Sequence, residues 1–139
     1  MSGHILIEEP KQAPQDIIFK DTLRRTAWLD DEIVKGAPYF DAAWVIKDMP
    51  KGPEVHLHHH DFDEYLGFMG GDGNDHMNLG CEAVVQVGSE VLTLRKTCLI
   101  YIPAGTPHGI VSITDITRPV LCYSGGPNTT YSSVAHKAD

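Results

Sequence analysis

Short runs of β-forming residues follow one another along this chain, each cut off by Gly, Pro, Asn or Asp before it reaches helical length. The runs span residues 5–7, 17–19, 42–47, 54–57, 65–69, 82–87, 90–94, 98–102, 109–113 and 119–123. Residues 87–90, Val-Gly-Ser-Glu, have the composition of a tight hairpin turn. Residues 70–75 are rich in Gly, Asp and Asn and open a longer loop that runs to Gly80. Helix is expected only over residues 29–35, as one turn or two behind an Asp-Asp-Glu start. Many short strands at close spacing with so little helix predict an all-β fold, either a closed barrel or two packed antiparallel sheets.

A chain of 139 residues is one domain, with room for a real core. Residues 1–41 are expected to supply edge strands that cover the barrel or act as a dimerisation arm, residues 42–127 the barrel, and residues 128–139 a polar tail. A small barrel with the apolar stretch HILIEE near its start has edges to protect, so a homodimer is expected. The net charge of −8 opposes a nucleic-acid partner, which would need a basic face. No apolar run approaches the roughly 18 residues of a membrane span, and the amino-terminal segment lacks the basic-then-apolar order of a secretion signal. Cys81, Cys98 and Cys122 stand at no metal or redox spacing and read as free thiols of a cytoplasmic protein.

Within this frame, residues 52–71 read GPEVHLHHHDFDEYLGFMGG. His58 and His60 are two apart, so on an extended chain both rings leave the same face. Glu64 keeps that parity or starts the next strand after a short turn, and PAGTPH at residues 103–108 adds His108 from a distant segment. Three neutral imidazoles and a carboxylate make a mixed N/O shell for a divalent transition metal: Fe or Mn first, with Zn, Ni, Co or Cu also compatible. Such a set leaves coordination positions open, unlike a closed, thiolate-rich structural zinc site. An accidental surface cluster of histidines is the competing reading; the glutamate offset and the distant PxGxxH weigh against it.

These two segments resemble the two cupin motifs. Gly52, His58, His60, Glu64 and Gly71 occupy every fixed position of the first, G(x)5HxH(x)3–4E(x)6G. Pro103, Gly105 and His108 match the core of the second, G(x)5PxG(x)2H(x)3N, while its ends fall on Thr97 and Ser112. The resemblance covers roughly residues 42–123. It implies a small single-domain jelly-roll barrel with His58, His60, Glu64 and His108 as metal ligands at its centre.

Strand parity then populates a cavity. Leu66 and Phe68 follow Glu64, Ile110 and Ser112 follow His108, and Leu121 and Tyr123 lie on a neighbouring strand. Leu66, Phe68 and Ser112 are the expected substrate contacts, in a greasy pocket with no Arg or Lys evidently inside. His59 should turn away. His56 shares the parity of His58, and it and Tyr123 are the acid–base candidates. Asp72, Asp75 and His76 could form a lid or a second cation site, although a solvated turn explains them as well. The implied function is a metal-dependent enzyme acting on a small oxygen-bearing molecule. An Fe(II) dioxygenase asks least of the protein. A Lewis-acid isomerase, decarboxylase or lyase, or a cupin that binds or senses a small ligand without turnover, are the alternatives.

Overall fold

Burial alternates along the strands and sorts them into two layers. In β5 (Asn78–Val87), Leu79, Cys81, Ala83 and Val85 are buried while the residues between them are not, the period of two that a half-buried strand requires. The computed structural model describes residues 3–127 and the backbone of Val134–His136. Around β5 lie β1 (Leu23–Leu29), β2 (Tyr39–Val45), β3 (Leu57–His59), β4 (Glu64–Gly70), β6 (Glu90–Lys96), β7 (Cys98–Ile102), β8 (His108–Thr114), β9 (Val120–Gly126) and β10 (Val134–His136). One sheet has the order β1-β2-β9-β4-β7 and the other β10-β3-β8-β5-β6, with every pairing antiparallel. Val45, Phe68, Ile102 and Val120 of the first sheet meet Leu79, Val85 and Ile113 of the second in the fully buried centre. This is the expected all-β, jelly-roll architecture.

The elements depart from expectation mostly before residue 60. Residues 17–19 are not a strand: α1 (Pro14–Ile18) takes the first two and Phe19 caps it, with Pro14 in its first turn and the Asp16 carboxylate accepting the Ala13 N–H at 2.7 Å. Residues 5–7 pair with nothing as a strand. The expected helix at residues 29–35 is instead the end of β1 and a set of turns. There the Asp30 carboxylate accepts from the Glu32 and Ile33 N–H groups, holding the chain in a side-chain-bonded turn that competes with helix. The strand expected at 54–57 is displaced to Leu57–His59. β1, whose bounds the strand runs did not show, is an edge strand within residues 1–41, where edge strands were expected. Since β2 spans residues 39–45, the boundary drawn at residue 41 falls inside a strand. The proposed tail, 128–139, lies outside the described residues except for Val134–His136, whose backbone pairs with β3. No helix among the described residues is long and apolar enough to cross a membrane.

Phe68 is 0% exposed and belongs to the core between the sheets rather than to a cavity wall. Phe68→Ala should therefore lower unfolding stability by about 3–5 kcal/mol in denaturant titration. A stability change under about 1 kcal/mol would mean the ring is not packed as described.

Candidate metal centre

Two tight links bring the distant histidine segments together. Pro103–Thr106 forms a β-turn closed by Thr106 N–H to the Pro103 carbonyl at 3.2 Å, with Gly105 at φ +81°, a conformation that favours glycine. The Gly105 N–H donates to the His60 carbonyl at 2.8 Å. Asp63 accepts from the Ala104 N–H at 2.9 Å and from the Tyr101 hydroxyl. His60, Asp63 and the turn before His108 are thereby fixed to one another, and in the β3–β8 pairing His58 stands directly opposite His108.

The side chains converge. One ring nitrogen from each of His58, His60 and His108 lies within 4.8 Å of the other two. Glu64, the first residue of β4, sits between two of them: Oε1 is 2.9 Å from His108 Nε2 and Oε2 is 3.1 Å from His60 Nε2. His60, Glu64 and His108 are buried, and His58 is half-buried. Burial first, then the neighbouring His108 and His60 rings, lowers the His58 pKa to about 4, so its ring is neutral at pH 7. Burial opposes ionisation of Glu64, but the contacts with His108 and His60 outweigh it and hold the carboxyl at about 2.

A divalent cation fits this donor set. His108 Nδ1 lies 2.9 Å from the Thr106 carbonyl, which can only accept, so Nδ1 carries the proton. Without a second proton on the ring, Nε2 presents a lone pair to the Glu64 carboxylate, and that buried nitrogen makes no well-aligned hydrogen bond. Two lone pairs at this distance need a positive charge between them, supplied by a proton on the ring, as in the contacts that hold the Glu64 carboxyl low, or by a divalent cation in the proton's place. Donors set at right angles around an ion, each about 2.1 Å from it, stand about 3 Å apart.

The centre opens into a cavity of about 220 Å³, smaller than the roughly 300–1,000 Å³ of pockets for drug-sized ligands. His58, Glu64 and His108 line one part of it, and Ala43, Val45, Leu66 and Ile113 line apolar walls. Leu66 is thus where parity places it, and His59 is outside the converging trio. Ser112 is not in the lining: a β-bulge in the β5–β8 register lets Val84 pair Ser112 while Val85 pairs Ile110, and Ile113 takes the inward position. Tyr123 lies on the opposite face of its sheet, over Gly67 and beside Phe40 and Tyr65, while its neighbours Cys122 and Ser124 face the cavity. A register displaced by one residue exchanges the faces. His56 is exposed just before β3 and outside the lining; its backbone supplies a hydrogen bond to the His58 ring. Asp72 and Asp75 are held by Arg118, each at 3.1 Å, and Asp72 caps the short turn at Gly73–Asp75, so they form a pinned surface turn. Thr97, in the glycine position of the second motif, accepts from the Gly70 N–H and donates to the His76 carbonyl.

The expectation of a cavity without Arg or Lys is overturned. Arg25 of β1 lines it, with Gln15, Tyr39, Asp41 and Ser124. Its side chain is 6% exposed; Nε and Nη2 grip Asp16 at 3.1 and 2.9 Å, and Nη1 reaches Asp41 at 3.2 Å. Burial pushes the Asp41 pKa up, while the Tyr39 hydroxyl, Arg25 and Ser124 oppose that shift. The signal for Asp41 was present: Tyr39, Asp41, Ala43 and Val45 alternate along β2 and all face the cavity.

The fold is that of the cupins, or double-stranded β-helix proteins. Bacillus subtilis oxalate decarboxylase, whose Mn(II) centres have been studied, matches with a TM-score of 0.55 and 15% identity over 91% of this chain and 29% of its own. This chain therefore spans less than a third of that enzyme. A double-stranded β-helix protein of Klebsiella pneumoniae matches with a TM-score of 0.53 and 13% identity over 99% of this chain and 100% of its own. The Streptomyces protein PAC13, a variant bound to uridine, gives 0.51 and 11% over 83% and 77%. No protein-family model and no curated protein sequence matches the chain.

Two measurements test this geometry. In metal-free protein, the His58 pKa lies below its ordinary 6.5, so the unfolded chain binds more protons as pH falls from 6.5 towards about 4. Stability is fully present above pH 6.5 and should decline through that window, and His58→Gln should flatten the decline in urea titrations. An unchanged slope would remove His58 from the buried cluster. Gly105→Ala, forced to φ +81°, should cost about 1–2 kcal/mol by denaturant titration; a neutral result would mean the turn is not as described.

Proposed function

We propose that this chain is a metal-dependent enzyme acting on a small, oxygen-bearing organic molecule, with His58, His60, Glu64 and His108 holding the metal. The observation that carries this reading is Glu64, whose two oxygens each face an imidazole nitrogen at the buried end of a cavity. A bound divalent cation would supply Lewis acidity to a substrate oxygen or, as Fe(II), reactivity towards dioxygen. Fe or Mn suits the mixed imidazole and carboxylate set, and the Mn(II) centres of oxalate decarboxylase, which shares the fold, support the choice.

The protein's own part is positional. The apolar walls, Val45, Leu66 and Ile113, exclude water from around a substrate whose oxygen reaches the centre. Of the acid–base groups named from sequence, neither His56 nor Tyr123 reaches the cavity, but Asp41 does, bonded to Tyr39 and Ser124. A placed carboxylate is what a non-oxidative route such as isomerisation, decarboxylation or elimination requires, so that route is favoured. The dioxygenase reading keeps the support of the greasy walls and needs no base.

Metal analysis of untagged protein should give about one equivalent of Mn or Fe per chain. His58→Ala and His108→Ala should lower occupancy at least tenfold without unfolding the barrel, because the core between the sheets does not include them. Full occupancy in both variants would remove the centre. Oxygen consumption by Fe(II)-loaded protein with catechol, diketone and thiol compounds should be absent if the non-oxidative route holds. Uptake that vanishes in His58→Ala would favour the dioxygenase.

A further inference from the structure

The geometry points to a second recognition element in the same cavity: Asp41, set by Arg25, Tyr39 and Ser124, accepts a hydrogen bond from a hydroxyl or ammonium group of a substrate whose other end reaches the metal. This inference rests on the metal-centre reading and adds the class of substrate, a small acid or carbonyl compound whose far end is a hydrogen-bond donor.

Asp41 is occupied but not saturated. Its Oδ1 accepts from Arg25 Nη1 at 3.2 Å, and its Oδ2 accepts from the Tyr39 hydroxyl at 2.7 Å and from Ser124 Oγ at 3.3 Å. A carboxylate offers about four lone-pair sites, so two or three donors leave at least one open. The side chain is 23% exposed and lines the cavity, which gives that site an outlet. Tyr39 gives its one hydroxyl hydrogen to Asp41, so the Ser124 hydroxyl donates either to Asp41 or to Tyr39; with Arg25 clamped on Asp16, the carboxylate is held in one orientation before any ligand arrives.

Charge selects what can bind there. Arg25 is gripped by Asp16 on one side and Asp41 on the other, so two carboxylates meet one guanidinium. The cluster is net negative, and Arg25 commits three of its five N–H donors to these carboxylates and is 6% exposed against 23% for Asp41, so the carboxylate is the more accessible group. A second carboxylate or a phosphate at this end would face Asp41 directly, whereas a hydroxyl or ammonium would complete its shell. A methyl end would leave the open lone pair dry and unbonded. The negative end of the ligand goes to the metal, and the donor end to Asp41.

Two matched series test the assignment by calorimetry on Mn(II)-loaded protein. One comprises γ-hydroxybutyrate, γ-aminobutyrate, valerate and glutarate; the other β-hydroxypropionate, β-alanine, butyrate and succinate. In at least one series the hydroxyl and ammonium compounds should bind about tenfold tighter than the methyl and carboxylate ones, equivalent to about 1.4 kcal/mol. Asp41→Asn should bring the four within about threefold of one another, equivalent to about 0.7 kcal/mol, and Ser124→Ala, which leaves the Arg25 contact in place, should reduce the discrimination part-way. Metal-loaded protein that binds all four ends alike, prefers the dicarboxylates, or binds none of the acids overturns the Asp41 subsite while the metal centre stands. Protein that takes up neither Mn(II) nor Fe(II) overturns the metal centre, and the subsite with it.

Discussion

The Glu64 carboxylate lies between two imidazole nitrogens, and most of the fold near it serves to keep it there. His60 and His108 come from segments almost fifty positions apart, and neither ring could be held by local structure alone. The Gly105 N–H to His60 carbonyl bond and the Asp63 contacts across to Ala104 and Tyr101 fasten the two segments. Register does the rest, since β3 and β8 pair with His58 opposite His108. Buried imidazole nitrogens and an ionised carboxylate tolerate that proximity when a proton or a metal cation shares the space.

The cavity beyond the centre owes its character to the other end of the molecule. β1 and β2 contribute Arg25, Tyr39 and Asp41, and α1 contributes Gln15 to the lining and Asp16 to the guanidinium clamp. The amino-terminal segment is therefore part of the pocket wall. This changes the chemistry available: a pocket of aliphatic walls alone would leave all substrate recognition to the metal, whereas Asp41 and its partners add a fixed polar point.

Spacing made the convergence of the three histidines legible in the sequence, because His58-x-His60 on a strand and the Pro-x-Gly turn before His108 constrain direction strongly. β7 is found at residues 98–102 as read, and the hairpin at residues 87–90 joins β5 to β6 with Gly88 at φ +60°. Parity failed where it depends on a whole strand staying regular. The bulge in β8 exchanged Ser112 for Ile113, and in β9 the true inward set is Val120, Cys122 and Ser124 rather than Leu121 and Tyr123. Edge strands were expected from residues 1–41, but the position of β1 was not legible because Leu-Arg-Arg-Thr-Ala-Trp-Leu is too charged to read as a strand. Arg25 faces inward only because Asp16, from a helix that local pattern did not reveal, waits to neutralise it.

The central claim is that three imidazoles and one carboxylate share a single ion. X-ray absorption of the protein as purified, untagged and without added chelator, reads that shell directly. The account predicts a metal edge whose fine structure requires about three imidazole rings at about 2.1 Å together with oxygen donors. A metal surrounded by oxygen alone, with no imidazole scattering, would contradict it.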